Sequence, residues 1–230
     1  MLESELERVI FHDIKTPLTT LLSGVEMLDE GLLGELTADQ KNCFGNIYIG
    51  AKKLASLFSD LQIIRAIEDR RWMAKPETFT VQELLADFSW LLEYAKKEQS
   101  KIVVNLPDNL TLVSGRELIA KTLTNLLINA VKQKHGSEEI DLNIIRTSQG
   151  VRFEVTDGGV GIPAELLNLI YDRTFKLEHQ DLQVYIGSGL SFYFCKLAIA
   201  ELGGSLGAEL VNEGRIRFYF DLPESIIASR

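Results

Sequence analysis

The spacing of apolar residues changes once along this chain, and the change divides it. Up to about residue 70 apolar side chains recur at intervals of three and four. Beyond residue 77, stretches of strict alternation appear between further helical patterns. The first spacing lines one face of a helix, the second one face of a strand. In the opening segment Ile10, Ile14, Leu18, Leu21, Val25 and Leu28 fall in a sector roughly 80° wide, and His12 lies about 160° from its middle. The spacing therefore predicts a helix that turns His12 outward, with Thr16 one turn further along the same side. Two glycines in "DEGLLGELTADQ" break the pattern, and Thr37 followed by Gln40 reads as a capping box for a second helix. There Phe44, Ile47, Ala51, Leu54, Phe58, Leu61, Arg65 and Glu68 form a heptad seam whose last two members are charged. Two helices cannot enclose a core, so the hairpin of residues 1–70 is expected to pair with a second copy as a dimeric four-helix bundle.

"RRWMAKPET" reads as a linker, placed at 71–76. After it come one amphipathic helix ("VQELLADFSWLLEYAKKEQ"), two short strands ("KIVVNL", "TLVSG") and a long helix ("RELIAKTLTNLLINAVKQK"). Two alternating strands ("EIDLNIIRT", "VRFEVTD"), a helix stopped by a glycine pair ("GLSFYFCKLAIAELGG") and a hairpin ("GSLGAELV", "RIRFYFDLP") follow. This order predicts an α+β sandwich over residues 77–226, one mixed sheet with helices on one face.

Several classes are excluded. A formal net charge of −9 is wrong for a protein that grips nucleic-acid backbones through clustered cations. His12, His135 and His179 stand apart, with no ligand spacing for zinc around them. Cys43 and Cys195 both lie in apolar helical context and are expected to be reduced core thiols of a cytoplasmic protein. No apolar run is long enough to span a membrane, and the first residues do not resemble a signal peptide. A chain that opens inside a helical pattern is expected to be a piece of a longer one.

Three segments carry residues costly to place without a ligand. In "NLLINAVK", Asn125, Asn129 and Lys132 share one face of a helix crowded by Leu126, Leu127, Ile128 and Val131. Amide oxygens suit Mg2+ and an ammonium suits phosphate. "VTDGGVGIP" ends a strand on Asp157 and follows it with Gly158, Gly159 and Gly161. Such glycines let backbone approach a ligand, and the carboxylate can accept from an exocyclic amine. "IGSGLSF" sets Gly187 and Gly189 just ahead of Leu190 and a helix, where backbone N–H groups can meet an anion. The polar stretch between the glycine clusters has the character of a flap.

Taken in order, His-Asp-x-x-Thr-Pro, Asn-x-x-x-Asn-Ala-x-Lys, Asp-x-Gly-x-Gly and Gly-x-Gly-Leu resemble the catalytic half of sensor histidine kinases of two-component systems. The resemblance covers essentially the whole chain. It implies a dimerisation and phosphoacceptor hairpin at 1–70 and a Bergerat-type ATP-binding domain at 77–226. By similarity His12 is the phosphoacceptor, Asp13 accepts its other ring proton, and Thr16 serves dephosphorylation of the partner. Asn125 and Asn129 would hold Mg2+ and phosphate, Lys132 phosphate, and Asp157 adenine. Gly159, Gly161, Gly187, Gly189 and Leu190 would line the nucleotide, with Phe175 in its lid. The resemblance implies ATP and Mg2+ as cofactors, a homodimer, a response-regulator receiver domain as partner, and a sensor region that this chain does not contain.

Some positions depart from the pattern. Gln133 stands where an aromatic is common, Ser191 and Phe192 replace a second Gly-Leu, Gly115 replaces an acid, and the stretch from Phe175 to Gly187 is short. All the phosphoacceptor and Mg2+ positions are filled, so an active kinase is expected. The competing readings are a phosphotransferase that does not use ATP and an ATP-gated clamp of the same nucleotide-binding superfamily.

Overall fold

The computed structural model describes residues 2–29, 31, 34–73, 75–132, 139–158, 162–167, 169–173, 190–211 and 215–228. Within these, the side chains of residues 2–12, 29, 42, 49, 53, 89 and 93 lie outside the description. The chain divides into two compact units, residues 1–65 and 66–230.

The first unit is a pair of long helices, α1 (Leu2–Asp29) and α2 (Ala38–Glu68), whose last turn belongs to the second unit. α1 runs through Pro17 without interruption. α2 starts where the capping box predicts. Gln40 N–H donates to Thr37 Oγ1 at 3.3 Å, and Thr37 N–H to Gln40 Oε1 at 2.9 Å. Leu18, Val25 and Ala51 are buried, and Glu26 reaches across to Tyr48 and Lys52 of α2. Ile14, Leu21, Ile47 and Leu54 remain exposed. Cys43 is also exposed, against the expectation of a core thiol, whereas Cys195 is buried. Cys43 precedes the seam residue Phe44 by about 100° of helix rotation, which takes it off the buried face.

After the last turn of α2, the second unit continues with a strand at the end of the segment that reads as linker, β1 (Glu77–Thr80). The expected single helix after it is two, α3 (Val81–Ala86) and α4 (Ser89–Lys97). At the joint, Asp87 and Phe88 N–H donate three residues back, to Leu84 and Leu85, rather than four. The tighter turn sinks Phe88 into the core and offers the Asp87 carboxylate to both Nε and Nη2 of Arg116. Next come β2 (Lys101–Asn105) and β3 (Thr111–Ser114). They are followed by α5 (Arg116–Lys132), β4 (Glu139–Thr147) and β5 (Gly150–Asp157). The unit ends with α6 (Leu190–Glu201), β6 (Ser205–Leu210) and β7 (Ile216–Pro223).

The expected single sheet is two. β3 leaves the main sheet to pair with β1, and the main sheet runs β2-β4-β5-β7-β6 with only β2 and β4 parallel. One face of that sheet is apolar. Phe153 stacks on its cross-strand partner Phe220 at 4.6 Å, Phe192 of α6 stacks on Phe218 at 5.3 Å, and all four rings are buried. Each such ring contributes about 1.5–3 kcal/mol of burial. The other face is ionic. Arg152 forks onto Asp221 at 2.7 Å and stacks over Tyr219, while Arg217 spans Glu154 and Glu209. The period of two divides the strands cleanly between these faces. No helix among the described residues is long and apolar enough to cross a membrane.

Candidate functional site

Connectivity decides which candidate residues share an end of the second unit. Asp157 is the last residue of β5. β4 pairs antiparallel with β5, with Asp141 opposite Thr156, so β4 starts at the Asp157 end of the sheet. A short segment before that start lies Lys132, the last residue of α5. β6 runs from Ser205, opposite Asp221, to Leu210, opposite Ile216, which is itself opposite Asp157. α6 ends a few residues before Ser205, at the far edge, and therefore begins with Leu190 near the Asp157 edge. The C-terminal end of α5, the end of β5 and the start of α6 thus meet at one edge. α5 packs against both β5 and α6.

On α5, Leu126, Leu127, Ala130 and Val131 are buried, Asn125 and Asn129 are half-buried, and Lys132 is exposed. The helical spacing of four and three keeps the two amides and the ammonium on one stripe. Asp157 is only 2% exposed, an expensive location for a carboxylate. Gly158 beside it is buried, and Leu190 is half-buried. Gly115 is buried too, and its carbonyl accepts the first backbone bonds of α5, from Leu118 and Ile119. Ser191 lies half-buried in the first turn of α6. Gly159, Gly161, Gln133, Phe175, Gly187 and Gly189 lie outside the described residues.

In the first unit His12 lies within α1, but its ring is among the side chains outside the description. Asp13 and Thr16 are exposed, and the Thr16 carbonyl accepts from Thr20 Oγ1 at 3.1 Å.

The donor set suits a nucleotide with Mg2+. Among the described residues no group of three or more His, Cys, Asp or Glu could cage a metal alone. Mg2+ demands few protein ligands when phosphate oxygens supply the others, and amide oxygens on a half-buried stripe meet that need. Two features escape the sequence reading. Glu68, a fading seam position by its spacing, holds Tyr193 and Arg173 through its carboxylate; a charge at a seam position is the available signal. Arg215, at the foot of β7, bonds across three strands; it has no local signal.

Known proteins place this architecture. Residues 3–68 match the model of the His Kinase A (phospho-acceptor) domain. Residues 115–226 match that of the histidine kinase-, DNA gyrase B-, and HSP90-like ATPases. The sensor protein KdpD of Clostridium acetobutylicum is 27% identical over 98% of this chain and 25% of its own length. The histidine protein kinase SaeS of Staphylococcus aureus is 29% identical over 83% of this chain and 55% of its own length. The chain therefore spans between a quarter and about half of these relatives. Among solved structures, full-length ShkA in complex with AMPPNP superposes with a TM-score of 0.73 at 21% identity, over 98% of this chain and 46% of ShkA. The catalytic domain of histidine kinase ThkA gives 0.56 at 25% identity, over 65% of this chain and 96% of that domain. The chain belongs to the sensor histidine kinases, joining a phosphoacceptor helical region to a GHKL-type ATPase domain with a mixed sheet.

Proposed function

We propose that this chain transfers the γ-phosphoryl group of ATP to its own His12, and that the phosphohistidine then donates to an aspartate of a response-regulator receiver domain. The observation that carries the reading is the edge where buried Asp157 and the half-buried Asn125–Asn129 stripe meet the start of α6. A buried carboxylate beside an amide stripe selects a ligand with an amine at one end and phosphates at the other. Asp157 accepts from the adenine amine, Asn125 and Asn129 hold Mg2+ through their amide oxygens, and Lys132 meets phosphate. The nucleotide-side contacts of Gly159, Gly161, Gly187, Gly189, Leu190 and Phe175 follow from the family pattern.

When bound, Mg2+ offsets charge on the phosphates. A ring nitrogen of His12 attacks the γ-phosphorus in line while the bond to the β–γ bridging oxygen breaks and ADP leaves. Asp13 accepts the hydrogen bond of the other ring N–H and so sets the tautomer. Thr16, one turn on, orients water for dephosphorylation of the regulator. The exposed seam residues of α1 and α2 pair with a second copy, and the ATP requirement sets the reaction in the cytoplasm.

Incubation with [γ-32P]ATP and Mg2+ tests this. Acid-labile, base-stable label is expected on the wild type, none on His12→Ala, and little on Asn129→Ala. Phosphate release without label would support the ATPase clamp instead. An intact, nucleotide-binding sample that takes no label would sink the proposal. Transfer to a panel of receiver domains, and release of phosphate from the labelled regulator by wild type but not Thr16→Ala, test the later steps.

A further inference from the structure

We propose that Arg215 is a positioning residue for Asp157, bracing the strand end that carries this carboxylate from the opposite face of the sheet. The proposal rests on the adenine-reading role given to Asp157 above. Arg215 precedes β7, and its carbonyl accepts from Val211 N–H at 2.8 Å, closing the β6–β7 hairpin. Its Nη2 lies 2.9 Å from the Asp141 carboxylate, 3.3 Å from the Glu139 carbonyl and 3.3 Å from the Thr156 carbonyl. One guanidinium therefore ties the foot of β7 to the first residues of β4 and to the last peptide of β5, the Thr156–Asp157 link. Both charged groups are about three-quarters buried, with 26% and 25% of their side chains exposed, so the pair is held more firmly than a surface pair.

The alternation of β7 sets Arg215 on the same side as Arg217, the ionic face. On β5, Asp157 continues the opposite, apolar side, in line with the buried Val151, Phe153 and Val155. The brace thus acts from behind and touches no ligand. Among the described residues the Arg215 Nε is buried without a hydrogen-bond partner, which costs stability. A small residue here would avoid that cost, and locally unfavourable choices concentrate where function needs them.

Binding of ADP and GDP to the whole chain, measured by calorimetry, tests the proposal in Arg215→Ala, Arg215→Lys, Asp141→Asn and Asp157→Asn. Arg215→Ala is expected to weaken ADP roughly tenfold and to shrink the preference for ADP over GDP, with Arg215→Lys recovering part of both. Combined with Asp157→Asn it should add no further loss, because the brace works through that carboxylate. Should Arg215→Ala fail to fold, Asp141→Asn keeps an oxygen acceptor, removes the charge, and should move the preference in the same direction. Unchanged ADP binding, or an equal loss for both nucleotides, would overturn the role of Arg215 while Asp157→Asn still weakens ADP selectively. If Asp157→Asn leaves the preference intact, the adenine reading itself fails and the inference falls with it.

Discussion

The Glu68 carboxylate accepts the Tyr193 hydroxyl at 2.8 Å and Arg173 Nη1 at 3.2 Å. One acid in the last turn of α2 thereby holds the first turn of α6 and the residue that follows Asp172, which is itself paired with Lys196. Glu68 is 20% exposed at its side chain, so its bonds are partly screened. A double-mutant cycle between Glu68→Gln and Tyr193→Phe, read by urea denaturation, is expected to give a coupling of about 0.5–1 kcal/mol. Additive single effects would show that the bond contributes nothing to stability.

Tyr171 donates to the Gly207 carbonyl at 2.9 Å from a buried site, and its ring meets Phe192 edge-on. Burial, with smaller contributions from Cys195 and Tyr219, pushes its phenol well above the usual range. An unfolded tyrosine ionises near pH 10 while the folded one stays neutral, so the unfolded state binds fewer protons there. Stability should fall as pH rises above about 10. Tyr171→Phe is expected to cost about 1 kcal/mol near neutrality and to flatten that alkaline decline. An equally steep decline in the variant would assign it to other groups.

Gly207 lies under the Tyr219 ring, and a Cβ there would meet its hydroxyl oxygen at 2.6 Å and Cζ at 2.7 Å. That ring is also stacked beneath the Arg152 guanidinium at 4.4 Å, so it has little freedom to withdraw. Gly207→Ala is expected to destabilise by about 1–3 kcal/mol. Adding Tyr219→Val should restore part of the loss, and thermal melts of the single and double variants compare the two. A double variant no better than Gly207→Ala would place the strain elsewhere.

Leu54 and Ile47 of the α2 seam are 52% and 42% exposed in the single chain. If a second copy covers them, Leu54→Asp should dissociate the dimer, since burying a lone carboxylate costs several kcal/mol. Sedimentation equilibrium at tens of micromolar is expected to show dimer for the wild type and monomer for the variant. Monomer in both would remove the bundle from the proposal.

Local signals in the sequence are legible where one short stretch holds both partners. Thr37 and Gln40 cap α2 from three residues apart, and the glycine pair ends α6, with Gly203 at φ 73° and Gly204 N–H reaching back to Ile199. The departures in the second unit are non-local. The break between α3 and α4 depends on Arg116, 29 residues from Asp87. β1 reads as the tail of a linker because its partner, β3, lies beyond two helices and another strand. Of the candidate site, helical and strand periodicity place the asparagine stripe and Asp157. Arg215 stays hidden because its partners on β4 and β5 are 74 and 59 residues away.

The contrast between the two cysteines has a practical consequence. Cys43 is exposed, whereas Cys195 has no exposed surface and directs its sulfur at the Thr122 carbonyl, 3.9 Å away between α6 and α5. A thiol reagent should therefore see one fast group and one slow group. The slow one reports each opening of the interface between the helix that begins at Leu190 and the helix that carries Asn125 and Asn129. Nucleotide that tightens this interface would slow only the second phase, giving a reading of occupancy from the chain's own two cysteines.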